Sequence, residues 1–253
     1  MAIFIKNDVQ IEKMRIANKI VANTHELLEK HIRPGVTTGE LNTLAEDYIR
    51  SCGAVPSFLG YKMTGSGFPA SICASVNDEV IHGIPSNRRL RNGDIISIDI
   101  GAYINKFHGD AARTHTVGEV AADRQQLVDV TKQSFFEAMP YARHGKRLHE
   151  MSAAIENYIE SFGYAVIREF CGHGVGRNLH EDPQIPHYRQ KSKGPRLQRG
   201  MTLAIEPMIV MGKADIRILD NNWTVVTKDG KSAAHYENTI LITDGDPELL
   251  TIY

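Results

Sequence analysis

Little in this chain points to a covalent scaffold. Its 253 residues include three cysteines, Cys52, Cys73 and Cys171. The set is odd and sparse and has no C-x-x-C pair, which argues against both a disulfide framework and a zinc ribbon. Reduced thiols fit a cytoplasmic location. Long apolar runs are missing too. No stretch approaches the roughly 20 residues that span a bilayer. The opening MAIFIKNDVQ breaks at Lys6 and Asp8, unlike a signal peptide, so no membrane partner is expected. Charge of one sign is also lacking. A formal net charge of −1 gives no global pull toward nucleic acid, and no specific DNA binding is expected. What is present, 42% hydrophobic and 23% charged residues, excludes disorder and suits one packed domain.

The most informative positive feature is an internal duplication. GVTTGELNTLAEDYIRSCG at 35–53 aligns without a gap to GKRLHEMSAAIENYIESFG at 145–163. Gly35, Glu40, Glu46, Tyr48, Ile49, Ser51 and Gly53 recur as Gly145, Glu150, Glu156, Tyr158, Ile159, Ser161 and Gly163. Both copies read as amphipathic helices. Leu41, Leu44, Ala45, Tyr48 and Ile49 recur at helical spacing in the first, and Met151, Ile155, Tyr158, Ile159 and Phe162 in the second. Thr37 with Glu40 predicts a capping box, and Gly53 a C-terminal stop. Each copy follows another predicted helix, over 8–31 and 122–139. The repeat continues in strands. GDIISID (93–99) parallels GMTLAIE (200–206), and HGD at 108–110 parallels HYE at 235–237. Asp99 thus corresponds to Glu206, and Asp110 is expected to correspond to Glu237. The absence of a flexible linker favours one domain over 1–253 with a shared antiparallel sheet and two pseudo-two-fold halves, roughly 1–118 and 119–253.

Asn105-Lys106 reads as a hairpin turn. With a two- or four-residue loop, Asp99 pairs with Ala112 and Asp110 with Gly101. Both carboxylates then share a face, and Gly101 leaves room beside Asp110. A three-residue loop with a bulge would break this parity. Acids at strand centres among isoleucines are costly to bury, and like charges together cost more. Divalent cations are the natural counter-charge. Four carboxylates and a histidine can hold two ions in an arrangement used for hydrolysis, and oxygen-rich ligation suits Mn, Fe(II), Co or Zn. The histidine candidate is His173 in FCGHGVGRNLHEDP, where glycines leave space for backbone and substrate, with His180 seven residues on. The glycine run lacks the features of a nucleotide loop. His82 in DEVIHGIP sits similarly, before Gly83 and Pro85.

Taken together, NDEVIHGIP, ISIDIGA, FHGDAARTHTVG, CGHGVGRNLHEDP, LAIEPM and HYENTILIT closely resemble the type I methionine aminopeptidases along nearly the whole chain. The resemblance implies an α+β pita-bread fold, a curved antiparallel sheet flanked by helices. It implies two divalent metal ions on Asp99, Asp110, His173, Glu206 and Glu237, with Asp110 and Glu237 bridging them. A metal-bound hydroxide would attack the scissile carbonyl, that of the N-terminal methionine of a nascent polypeptide. Glu206 would move the proton, His180 would polarise the carbonyl oxygen, and His82 would hold the scissile amide. The expected methionine pocket comprises Phe58, Tyr61, Phe68, Cys73, Leu179 and Trp223, beside His82 and His180. Aromatic and sulfur contacts suit a thioether.

The chain departs from the family pattern at several positions. Phe58 stands where a small residue or cysteine is usual, Leu179 where an aromatic is common, and His235 where glutamine is common. The loop Lys62 to Gly67 is longer than in short bacterial forms. These departures bear on pocket shape and are expected to leave the metal chemistry untouched.

Aminopeptidase P and prolidase, which share the fold, carry an N-terminal domain. Here the duplicated helices begin within the first ten residues. A type II enzyme would need an insertion in the second half, and none is apparent. A non-catalytic relative would be expected to lose metal ligands, and all five are kept. The basic stretch RQKSKGPR at 189–196 reads as a solvated surface loop, or as a transient contact to ribosomal phosphates. A monomer is the default expectation.

Overall fold

The computed structural model describes residues 2–62 and 66–252. The first half runs through α1 (Asp8–Glu29), α2 (Thr38–Ser51), β1 (Val55–Pro56), β2 (Ile72–Val76), β3 (Glu79–Ile81), β4 (Ile95–Ile104) and β5 (Phe107–Thr116). The second begins with α3 (Ala122–Ala138), α4 (Leu148–Ser161), β6 (Ala165–Val166), β7 (Gly172–Gly174) and β8 (Glu181–Ile185). It continues through β9 (Thr202–Ile205), β10 (Met208–Val210), β11 (Ile216–Ile218), β12 (Val225–Thr227), β13 (Ala233–His235), β14 (Asn238–Leu241) and β15 (Glu248–Leu249). All strand pairings are antiparallel, as expected for this α+β fold.

The helices form where the sequence pattern places them. Thr37 accepts the Glu40 N–H at 3.0 Å while Glu40 accepts the Thr37 N–H at 2.7 Å, closing the predicted capping box at the start of α2. Gly53 and Gly163 both end their helices at positive φ, 74° and 75°, a conformation glycine adopts without strain. Strand β4 shows why the acids face a cleft. Its Ile96, Ile98 and Ile100 pack under α1 and α2 with Leu41, Ala45 and Ile49. Alternation then turns Ser97, Asp99 and Gly101 to the opposite face. In the second half Leu203 and Ile205 of β9 pack with Leu127, Met151, Ile155 and Ile159 of α3 and α4.

The duplication extends to individual hydrogen bonds. Gly35 N–H donates to Leu90 O, and Gly145 N–H donates to Leu197 O, both at 2.8 Å. Arg89 reaches back to Gly35 O, and Arg196 to Gly145 O. Strand β1 pairs with β4 through Val55–Tyr103 and Pro56–Ala102, and β6 pairs with β10 through Ala165–Val210 and Val166–Ile209. This register makes Asp99 the counterpart of Glu206, as the repeat suggested.

The expected second pair, Asp110 with Glu237, is not in equivalent register. Gly101 and Met208 correspond, yet Gly101 faces Asp110 whereas Met208 faces His235. Two side-chain bonds across the seam fix the relation. Thr239 Oγ1 donates to Asp110 O, and Thr114 Oγ1 donates to His235 O, both at 2.8 Å. Asp110 therefore corresponds to His235, and Glu237 to Ala112. Matching histidine to histidine in HGD and HYE shifted that alignment by two residues.

The curved layer is also not one uninterrupted sheet. Its strands divide into ladders of four, three, three and five. The halves join where Glu237 N–H donates to Ala112 O at 2.9 Å, and where β12 pairs with β3.

Candidate metal centre and substrate cleft

The β4–β5 hairpin turns at Asn105 and Lys106, both at positive φ (54° and 70°), between the flanking pair Ile104–Phe107. This two-residue loop sets the pairings Asp99–Ala112 and Gly101–Asp110. Asp99 and Asp110 accordingly share the cleft face. The space over Gly101 is not open, however. A Cβ there would lie 2.7 Å from Ser57 Cβ and 2.9 Å from Phe58 Cε1. Glycine is needed for the close approach of the β1 end, which seats Phe58.

Glu206 follows β9 and Glu237 follows β13, facing each other where that ladder opens. His173 on β7 lies beside Ala204. Its Nδ1 bonds to Gly174 O at 2.9 Å, leaving Nε2 to face the acids, 3.4 Å from Glu206 Oε1 and 3.9 Å from Asp110 Oδ2. The counterpart of His173 is Ser75, which faces Ser97 as His173 faces Ala204.

Asp110, His173 and Glu237 offer ligand atoms that all lie within 4.8 Å of one another. Asp99 Oδ1, Asp110 Oδ1 and Glu237 Oε1 are buried without a hydrogen-bond partner. Burial holds the Asp99 carboxyl up at about 7, and it raises Asp110, Glu206 and Glu237 well above the usual range, with neighbouring acids adding to the rise at Asp110 and Glu237. Orphaned carboxylate oxygens beside a neutral imidazole nitrogen are the donor set a divalent cation satisfies, so the residues present fit the metal.

The remaining nominated residues line the same cleft, of about 500 Å³. Phe58, Phe68, Cys73, Leu179 and Trp223 form one apolar cluster with Tyr61 at its edge. His82 adopts a positive φ of 57°, uncommon for a non-glycine residue and characteristic of functional positions. Its ring meets Trp223 and Phe170 edge-on, with centroids 6.2 and 5.9 Å away. Burial first, then the other histidines, lowers its pKa to about 4, so its imidazole is neutral at pH 7. His180 is exposed at the mouth, its Nδ1 2.5 Å from Tyr61 Oη and its ring centroid 4.3 Å from that of His173. Part of the Lys62–Gly67 loop, Met63 to Gly65, lies outside the described residues.

Four contributors were not foreseen. Phe170 packs on His82. His187 accepts the Glu206 N–H on Nε2 at 3.1 Å. Arg113 stacks over Tyr236, reaches Glu237 O, and donates to Asn238 Oδ1 at 2.6 Å and Thr251 O at 3.0 Å. His235 Nε2 lies 3.5 Å from Glu206 Oε2, so the departure at that position does touch the acid cluster. Only His187 had a local cue, its place in the HEDPQIPHY run. The others are brought in by tertiary packing.

The 189–196 segment is more tied down than its composition suggested. Arg189 pairs with Glu156 at 2.8 Å and Glu160 at 2.5 Å, both on α4, and Arg196 caps Gly145 O.

A duplicated α+β frame that gathers four carboxylates and an imidazole at the foot of an apolar cleft defines a metallohydrolase. The model of metallopeptidase family M24 matches residues 12–244. The chain is 53% identical to a methionine aminopeptidase of Clostridium acetobutylicum over 99% of each chain, and 51% identical to methionine aminopeptidase 1 of Bacillus subtilis over 98% of this chain and 99% of that one. A crystal structure of the methionine aminopeptidase from Thermotoga maritima superposes with a TM-score of 0.96 at 42% identity, covering all of both chains. The prolidase from Pyrococcus furiosus, at 24% identity and a TM-score of 0.79, shares the fold over 65% of its own length. The chain belongs to metallopeptidase family M24 and, within it, to the methionine aminopeptidases.

Proposed function

We propose that this chain removes the N-terminal methionine from polypeptides, preferentially when the second residue is small, with Asp99, Asp110, His173, Glu206 and Glu237 holding two divalent metal ions. The observation that carries the assignment is the set of buried, unpartnered carboxylate oxygens at the foot of an aromatic and thiol-lined pocket. When bound, the ions supply Lewis acidity and lower the pKa of a water.

The chain's own residues do the rest. Phe58, Phe68, Cys73, Leu179 and Trp223 take the methionine side chain, the thiol and the ring edges matching a polarisable thioether. Burial lowers the His82 pKa to about 4, so it presents a neutral imidazole at pH 7, and partial desolvation at the mouth of the cleft lowers the His180 pKa from its ordinary value. With Tyr61 oriented on its Nδ1, His180 directs Nε2 toward the cleft to donate to the carbonyl oxygen as charge develops. His82, its ring set by Trp223 and Phe170, hydrogen-bonds the scissile amide. Glu206, its backbone fixed by His187, accepts the proton of the attacking water and passes it to the leaving amine. No helix among the described residues is long and apolar enough to cross a membrane. If the 189–196 loop meets ribosomal phosphates, Lys191 and Lys193 carry the contact, since Arg189 is engaged by α4.

The test is release of methionine from a Met-Ala-Ser peptide by metal-loaded protein, its loss on chelation and its recovery with added metal. An intact peptide in the presence of Fe(II), Mn, Co and Zn in turn would refute the assignment.

A further inference from the structure

Residues 2–7 form no regular element, yet they are fixed at several points. Ile3 packs against the core of the second half. Lys6 donates its N–H to Gly200 O at 2.8 Å and its Nζ to Glu181 Oε2 at 2.6 Å. Gly200 is required for this anchor, and Gly176 leaves the space that its side chains fill. A Cβ on Gly200 would lie 2.7 Å from Lys6 O, and one on Gly176 would lie 2.7 Å from both Lys6 Cε and Glu181 Oε1. Asn7 then caps α1 through the Gln10 N–H.

Anchored on both sides, Phe4 projects outward and is 57% exposed, and Ala2 and Phe4 line the same cleft as the acids. Lys6 Nζ also donates to Phe4 O, tying that residue to the wall that carries His180. Phe68 and Trp223, both buried, meet edge-on at the apolar end of the cleft, whereas His180 is exposed at the mouth. A substrate whose first side chain fills the buried apolar end leads its remaining residues out across that rim.

We propose that Phe4, held in place by the Lys6–Glu181 ion pair, forms an apolar subsite for the third residue of the polypeptide. The chain would then discriminate among substrates that share methionine and a small second residue. This rests on the aminopeptidase reading above. An apolar side chain half covered on such a rim is favoured over an acidic one by about fivefold in kcat/KM.

The experiment compares Met-Ala-Leu-Ser with Met-Ala-Glu-Ser on metal-loaded wild type, Phe4→Ser and Phe4→Leu. Wild type and Phe4→Leu should prefer the leucine peptide by about fivefold, and Phe4→Ser should bring the ratio near one. Phe4 is exposed, so neither variant threatens folding. Cleavage of both peptides with a ratio that Phe4→Ser leaves unchanged overturns the subsite and leaves the aminopeptidase reading standing. Failure to cleave either peptide overturns both.

Discussion

Replacing Lys6 by methionine should be among the most destabilising single changes outside the cleft. The stem keeps its length and only the ammonium is lost. The ion pair it forms with Glu181 has side chains 4% and 3% exposed and a separation of 2.6 Å. Burial lowers the Lys6 pKa even though Glu181 pulls it up, so desolvation is felt at this site. With the cation gone, Glu181 remains buried, supported by the Asn178 N–H at 3.2 Å. Breaking a buried pair from one side costs about 3–5 kcal/mol. For a chain of this size that lowers Tm by roughly 10 °C. Replacing both partners by apolar residues removes the stranded charge, so Lys6→Met with Glu181→Leu should recover to within about 1 kcal/mol of wild type. Urea unfolding of the four proteins, read as midpoints at constant m, gives the cycle directly. A loss below about 1 kcal/mol for Lys6→Met, or a double variant as unstable as the sum of the singles, would refute the reasoning.

Two further perturbations probe the buried histidines. His187→Ala strands the Glu206 N–H and should cost about 1–3 kcal/mol. It should also lower kcat more than it raises KM, and an unchanged kcat in the purified variant would count against its placing Glu206. His115 has an Nε2 that is buried and unpartnered, and burial lowers its pKa from 6.5 to about 4. The folded-state value lies below the unfolded one, so the unfolded chain binds the proton first and stability falls as pH drops below 6.5. His115 alone should remove about 2 kcal/mol between pH 7 and pH 5. His115→Gln should show a correspondingly shallower acid slope in denaturant midpoints, and a parallel slope would refute this.

Local pattern was enough to read the helices, since amphipathic spacing, Thr37–Glu40 and Gly53 are decided within one turn of chain. The hairpin pairing was legible for the same reason, because two residues at Asn105-Lys106 fix the parity of all ten pairs between the two strands. The roster of cleft residues came from motif resemblance. What failed was register across the long β10–β13 connection. There the two halves share a histidine-to-acid spacing by coincidence, and only the threonine bonds at the seam show which positions correspond. The roles of His235 and Arg113 were illegible because each depends on a partner far away in sequence, Glu206 and Thr251 respectively. The crowding over Gly101 is not legible locally, because nothing in its own stretch of chain reveals that Ser57 and Phe58 occupy that space.

The two-residue shift between the halves limits how such a chain could arise or be rebuilt. Two identical copies of the first half, joined or associated as a dimer, would bring together two Asp99 and two Asp110 side chains. They would place Ala112 where Glu237 stands and Ser75 where His173 stands. A symmetric ancestor of this frame could therefore carry the fold but not this donor set. The centre is a product of divergence between the repeats, and grafting one half onto the other would preserve the scaffold while erasing the chemistry.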